Sequence, residues 1–191
     1  MPRTNRQERS EGAAGVDSLT GCYLIGPDFS FTLPRRDTDP IELGHAADWL
    51  GGPLPAQAAF VALDLRSQRS VRELTGWGGV DQFLAAIGRR INDVCPNDVV
   101  FRTGVDVFLV AIADLPPSDA TTFAEEFREA IAESLPLGDT PSALGSEVTV
   151  AVACRGAEST AAELFKRVHD VLLEANSREA PIAVASTDTG S

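Results

Sequence analysis

The sequence lacks the features of membrane-spanning, secreted and disulfide-bonded proteins. It has no apolar run of about 18 residues, so no segment is long enough to cross a bilayer as a helix. Residues 1–15 are polar and lack the apolar stretch of a signal peptide. Only three cysteines are present, without a CxxC pair, which leaves zinc binding unsupported. We therefore predict reduced thiols and a cytoplasmic protein.

Basic residues are also few relative to acidic ones. The chain has 16 lysines and arginines against 28 aspartates and glutamates, a formal charge of −12. A general nucleic-acid binder needs a basic face to neutralise phosphates, and an anionic membrane attracts basic segments. The charge balance therefore argues against nucleic-acid and membrane partners. The hydrophobic fraction of 43% and charged fraction of 23% are ordinary for a globular protein.

The 191 residues are enough for one domain with flexible ends. Residues 1–16 are rich in polar and small residues and are predicted to form a disordered arm. Residues 17–184 hold the apolar patterns of a folded domain. Residues 185–191 are rich in Thr, Ser and Gly and are predicted to form a flexible tail.

Hydrophobic periodicity predicts an α+β domain. Short apolar or alternating runs indicate strands at residues 58–64, 98–103, 107–113, 148–152 and 181–184. Amphipathic patterns indicate helices at residues 40–50, 80–94, 118–135 and 159–175. We expect Ser118 to cap the third of these helices and Val94 to face the core from the second. The element order fits a mostly antiparallel or mixed sheet flanked by helices better than a regular βαβ repeat.

Three short motifs lie in order along this pattern. Residues 17–21 read DSLTG, Asp64 ends the buried strand at 58–64, and residues 102–108 read RTGVDVF across a tight turn. Together they resemble the GGDEF family, the diguanylate cyclase domains that make cyclic di-GMP from two GTP molecules. The resemblance covers residues 17–184. It implies a palm-like, ferredoxin-like fold of the nucleotide cyclase type.

The resemblance also implies site residues. Asp64 and Asp106 match the acids that hold Mg²⁺ on the triphosphate, a role that suits carboxylate oxygens. Asp81 matches an acid that contacts guanine, and Arg69 a basic position in the loop after the first strand. Each also has a structural interpretation. Asp64 can be a strand-end acid that is hydrogen-bonded to a loop, and Asp106 can be present because aspartate is common in turns. Asp81 can stabilise the helix that starts there through the helix dipole, and Arg69 can be a solvated surface residue.

The turn departs from the family pattern of Gly-Gly-acid-Glu-Phe. Here it reads Gly104, Val105, Asp106, Val107 and Phe108. A β-branched residue at position 105 disfavours the positive φ that glycine allows, and we expect it to crowd the phosphate space. Val107 removes a carboxylate that the family uses. We therefore expect no functional catalytic group in this turn.

Further departures surround the expected nucleotide site. Arg66 and Arg72 stand where the family has an Asp and a guanine-reading Asn, and Asn176 replaces a phosphate-binding Lys. The Arg of the family's RxxD product site is Cys95. The two arginines can either neutralise the site acids or bind a phosphate without metal. Trp77 replaces a residue at the nucleotide rim, and we expect it to plug a disused pocket.

From these residues we predict a catalytically inactive GGDEF domain that acts as a regulatory or protein-interaction module. It requires no cofactor, and Mg²⁺ enters only if nucleotide binding persists. Retained nucleotide contacts would then come from Asp81, Arg72 and Arg69. A protein partner or a homodimer is expected, with GTP or cyclic di-GMP as candidate ligands. The alternative is an active, divergent diguanylate cyclase that uses Asp64 and Asp106 with Mg²⁺.

Overall fold

The computed structural model describes residues 22–24, 52–133, 147–156 and 160–185. In chain order the elements are β1 (Tyr23–Leu24), β2 (Ala59–Leu65), α1 (Gln68–Val94), β3 (Val99–Arg102), β4 (Val107–Ile112), α2 (Ala120–Ala132), β5 (Val148–Cys154), α3 (Ala161–Ser177) and β6 (Ile182–Val184). The predicted arm at 1–16 and helix at 40–50 lie outside these ranges. None of the described helices is long and apolar enough to cross a bilayer.

The described strands form one mixed sheet in the order β1-β3-β4-β2-β5-β6. The central strand β2 pairs antiparallel with both β4 and β5, and β3 pairs antiparallel with β4. The two outer strands, β1 and β6, pair parallel with their neighbours. Because β3 and β4 form a hairpin beside β2, the turn between them comes to the same end of the sheet as Asp64.

Successive residues of β2 point to opposite faces of the sheet, and each face packs into its own hydrophobic core. On one face, Val61 and Leu63 pack with large side chains of α1 and α2, among them Phe83 and Phe127. On the other face, Phe60 and Ala62 pack beneath α3. The mostly antiparallel sheet with helices on both faces confirms the predicted α+β architecture.

The helix boundaries differ from prediction at several points. α1 begins at Gln68 rather than residue 80, because the chain stays helical on both sides of a kink at Gly76, where φ is 71°. Only glycine adopts this backbone conformation readily. At the other end of α1, Val94 is 39% exposed and so does not join the core.

Two capping residues also differ. Asp119, not Ser118, is the N-cap of α2, and its side chain makes no capping bond. The Ser118 hydroxyl instead donates to the Asp119 carboxylate at 2.8 Å. After β6, Ala185 is buried and its N–H donates to the Val152 carbonyl at 2.8 Å. Ala185 therefore pairs with the sheet, and the predicted domain boundary at 184 stays a prediction.

Candidate functional site

Asp64 lies near the end of β2, on the sheet face that α3 covers. Its cross-strand partners are Val107 on β4 and Thr149 on β5, so the three side chains form a row across the sheet. Val107 packs against the core beneath α3, and Thr149 is fully buried. The row therefore holds one carboxylate between an apolar side chain and a hydroxyl.

Asn176, on the last turns of α3, closes this row from above. Its Nδ2 donates to Asp64 Oδ2 at 2.5 Å. The Oδ1 atom of Asn176 and the Oγ1 atom of Thr149 are buried without a hydrogen-bond partner. The cluster of Asp64, Thr149 and Asn176 is thus half satisfied, and we call it the buried polar cluster.

Burial raises the pKa of the Asp64 carboxyl above its ordinary value. The hydrogen bond from Asn176 opposes this rise, the charge of Asp106 adds to it, and the charge of Arg66 also opposes it. The Leu65 N–H donates to the Asp106 carbonyl at 3.0 Å, so Asp106 lies beside the end of β2 that carries Asp64, as the resemblance implies. The site therefore disfavours the ionised form of Asp64, and Asn176 and Arg66 offset only part of the effect of burial.

The turn at residues 104–106 is held by Arg102. Its guanidinium donates to the carbonyls of Gly104 at 2.9 Å and of Val105 at 2.8 Å. Neither Gly104 nor Val105 has a positive φ. The expected conflict at Val105 does not occur, because its backbone is unstrained and its side chain is 61% exposed. The turn thus adopts a shape that valine tolerates.

Val107 has the clearest consequence for chemistry. Glutamate at this position would bring a second carboxylate beside Asp64, directly across the strand pair. Valine instead packs with the apolar side chains beneath α3. The sheet position that the family uses for an acid therefore carries a partly buried apolar side chain that packs against the core in this chain.

Arg72 and Trp77 do not fill the site. The Arg72 guanidinium lies over the Trp77 ring, 5.1 Å from its centroid. Trp77 is 66% exposed, so the expectation that it plugs a pocket is wrong. The kink at Gly76 precedes it, and the helix resumes with the ring directed to solvent.

The remaining predicted residues lie along α1 and at its C-terminal cap. Asp81 is exposed on α1, one helical turn after Trp77. Arg69 lies in the first turn of α1, and its side chain is outside the described part. Burial raises the pKa of the Cys95 thiol to about 12, so this side chain stays neutral where the family's product site has an arginine. The structure therefore brings Asp64, Asp106 and Arg66 together.

The family implies a magnesium ion, and Asp64 and Asp106 are the two carboxylates at this end of the sheet that would hold it. Within the described ranges, no group of three or more His, Cys, Asp and Glu side chains is arranged to hold a metal ion. Asp64 already accepts a hydrogen bond from Asn176, and Val107 offers no oxygen. Mg²⁺ is usually held by one or two carboxylates together with substrate phosphates and waters, so the Asn176 bond would have to be released before both oxygens of Asp64 could contribute.

Thr149 is the site residue that sequence reasoning missed. It lies within a predicted strand, and only the register of β2 with β5 shows that it faces Asp64. The signal available in the sequence was a hydroxyl in an otherwise apolar strand, at residues 148–152. Without the register, that hydroxyl has no assigned neighbour.

The fold and the strand-end acid define an α+β domain of the nucleotide cyclase type. A profile of the family described as "Diguanylate cyclase, GGDEF domain" matches residues 53–180, which is more than half of the chain. The chain therefore belongs to the GGDEF family. This confirms the resemblance carried by the three sequence motifs.

The diguanylate cyclase DgcM of Escherichia coli K12 is 26% identical over 174 residues. The match covers 88% of this chain and 38% of DgcM, so the chain spans less than half the length of that relative.

Two solved structures share the fold. The GGDEF domain of TpbB (YfiN) from Pseudomonas aeruginosa has a TM-score of 0.66 at 23% identity, covering 90% of this chain and 95% of that one. The GGDEF domain of DgcB from Caulobacter crescentus, solved in complex with c-di-GMP, has a TM-score of 0.63 at 17% identity, covering 88% and 93%.

Proposed function

We propose that this chain is a GGDEF domain that does not synthesise cyclic di-GMP and instead acts as a regulatory, protein-interaction module. One observation carries the proposal. At the sheet end where the family pattern has a carboxylate pair and a lysine, Val107 packs into the core and Asn176 donates a hydrogen bond to Asp64.

The size of the expected loss supports this conclusion. Removing one transition-state contact commonly lowers turnover by roughly 10²- to 10³-fold. The glutamate at position 107 and the lysine at position 176 are both absent, and Arg66 stands where the family has an acid. Such losses are not additive, but even two of them reduce turnover to near background.

The candidate ligands of this chain are nucleotides. DgcB was solved with c-di-GMP, which makes cyclic di-GMP and GTP reasonable candidate ligands for this fold. Any residual nucleotide contact would come from Arg72, Asp81 and Arg69, and Mg²⁺ on Asp64 and Asp106 would enter only with it. The predictions of no required cofactor and of a cytoplasmic location stay predictions.

A second candidate function is an active, divergent diguanylate cyclase. It is favoured by the closeness of Asp64 and Asp106, whose charges interact. In this case both carboxylates would bind Mg²⁺, and Asn176 would have to release Asp64. The two candidates make opposite predictions for turnover.

The test is the conversion of GTP with Mg²⁺ by the purified full chain, with the product separated by chromatography. We expect no cyclic di-GMP above the level of a protein-free control. The matched variant is Asp106→Ala, which changes an incompletely buried turn residue. Product that forms with the natural sequence and disappears in this variant would establish the second candidate and overturn the first.

A further inference from the structure

The sheet ends at β6 on the side of β5. β6 pairs parallel with β5, and among the described residues no strand pairs with its other side. Both α2 and α3 contact β6, and they lie on opposite faces of the sheet. The outer edge of β6 therefore runs between two helices.

The backbone of β6 turns two residues toward this outer edge. The Pro181 carbonyl accepts from the Val150 N–H at 3.0 Å, and the Ala185 N–H also donates to β5. Along a strand the N–H and C=O groups of successive residues point to opposite sides. Ile182 and Val184 therefore direct their N–H and C=O groups away from β5, toward the outer edge.

The outer edge lacks the usual protection against pairing. Natural edge strands commonly carry a charged side chain, a proline or a bulge that blocks a further strand. Residues 181–185 read PIAVA and contain no charge. Pro181 does not block the outer edge, because it belongs to the set of residues that faces β5. The outward backbone groups are thus of the kind that another strand pairs with.

The side chains beside this edge are small or apolar. Ile182 and Val184 pack against the core beneath α1 and α2 and stay half-buried. Ala183 points to the opposite face, toward α3. Asn176 reaches β2 from one flank of α3, and Val171 lies about 140° away around the helix, on the flank turned to β6. Val171 is also half-buried, so both faces beside the edge are apolar.

We propose that the outer edge of β6 binds an extended, uncharged segment of a partner protein as a further strand of the sheet. This inference deepens the proposed function, because it rests on the protein-interaction role and names the kind of partner. The outward groups of Ile182 and Val184 repeat at about 6.6 Å, the two-residue spacing of a strand. A helix already uses its own N–H and C=O groups internally, so only an extended chain can pair with them.

Amide hydrogen exchange of the full chain, followed by NMR, tests whether the edge is open. The amides of Ala183 and Ala185 face β5 and should exchange slowly, whereas those of Ile182 and Val184 should exchange at least about tenfold faster. Slow exchange at Ile182 and Val184 in the free monomer would mean that another part of the chain pairs with this edge. That result would overturn the proposal.

A synthetic strand tests the occupant. The probe is an acetylated and amidated peptide of about seven residues that alternates valine and threonine. We expect one-to-one binding with a dissociation constant on the order of 100 μM to 1 mM, because β6 has only three residues. Bound peptide should slow exchange at Ile182 and Val184. The same peptide with methylated backbone nitrogens keeps its side chains and should bind at least about fivefold more weakly.

Two variants of Val184 separate the backbone from the side chain. Val184→Pro removes the outward N–H, and the matched control Val184→Ala keeps it while also shortening the side chain. Val184→Pro should weaken peptide binding at least about fivefold, and Val184→Ala should stay within about twofold of the natural chain. Slow exchange of the Ala185 amide in both variants would show that β6 still pairs with β5.

Three results would overturn the proposal. They are no binding of the peptide up to about 1 mM, equal binding of its methylated form, and equal binding by the two Val184 variants. Self-association that protects Ile182 and Val184 would assign the edge to a second copy and would also contradict it. The assay contains neither nucleotide nor metal, so its failure leaves the turnover test of the proposed function unaffected. Synthesis of cyclic di-GMP would likewise leave the peptide result standing.

Discussion

The two ends of α3 both use polar side chains, but they use them differently. At the N-terminal end, Thr160 and Glu163 form a reciprocal capping box. At the C-terminal end, Asn176 binds Asp64 while its own Oδ1 and the Thr149 hydroxyl lack partners. Folding alone favours the first arrangement. The half-satisfied cluster at the second end costs stability, because two of its buried polar atoms have no hydrogen-bond partner.

The largest expected effect is the loss of stability when a buried leucine is truncated at either end of α3. Leu164 and Leu172 are both buried on α3, at 0% and 1% exposure. We expect Leu164→Ala and Leu172→Ala each to lower the free energy of unfolding by about 2–5 kcal/mol. Urea denaturation measures both. A Leu172 variant that loses less than about 1 kcal/mol would show that the C-terminal end is loosely packed, contrary to the comparison.

The buried polar cluster should be easy to improve. Thr149→Val removes a fully buried hydroxyl that has no partner, so we expect stability to rise by about 1 kcal/mol. Denaturant midpoints at neutral pH provide the measurement. The control, Val148→Thr, adds a hydroxyl to a buried position on the opposite sheet face and should destabilise. A Thr149→Val variant that is less stable than the natural chain would mean that the Thr149 hydroxyl makes a stabilising hydrogen bond.

The capping box should have an effect of similar size and opposite sign. Thr160→Ala removes the side chain that accepts from the Glu163 N–H at 3.3 Å. We expect a loss of about 1 kcal/mol, visible as a lower thermal midpoint. Thr122→Ala, on the exposed side of α2, serves as the control and should change little. Equal midpoints for both variants would contradict the capping role.

The smallest effect is the pH dependence, which should have opposite signs at the two ends. Burial raises the pKa of Asp64 in the folded chain, so its contribution is present at low pH and is lost as pH rises. Hydrogen bonds from Thr160 lower the pKa of Glu163, so its contribution is present at neutral pH and is lost on acidification.

Stability curves between about pH 3 and pH 7 should show this contrast. Relative to the natural chain, Asp64→Asn should gain stability as pH rises, and Glu163→Gln should gain as pH falls. Parallel curves for both variants would contradict the assigned pKa shifts.

The sequence predicted the sheet well because its strands are decided locally. The runs that became β2, β4 and β5 are apolar over almost their whole length, which only a buried strand explains at that size. The start of α1 was missed because Gly76, Gly78 and Gly79 interrupt its pattern. The structure bends at Gly76 and continues the helix.

The site was predictable in part. Family motifs identified Asp64 and Asp106 because these acids lie at a strand end and a turn, where local sequence is diagnostic. The bond between Asn176 and Asp64 joins residues 112 positions apart, and Thr149 depends on strand register. Neither the Asn176–Asp64 hydrogen bond nor the position of Thr149 can be predicted from the residues nearby in the sequence. The exposure of Trp77 was likewise set by the Gly76 kink, which periodicity does not reveal.

The central claim is that the site no longer holds a nucleotide through a metal ion. Isothermal titration of the full chain with GTP, once with Mg²⁺ and once with EDTA, tests it most directly. We predict that Mg²⁺ changes the affinity by less than about twofold, because Asn176 occupies one oxygen of Asp64 and Val107 supplies none, which leaves Asp106 as the other carboxylate. Binding of GTP that appears only with Mg²⁺ and is lost in Asp64→Ala would contradict the account.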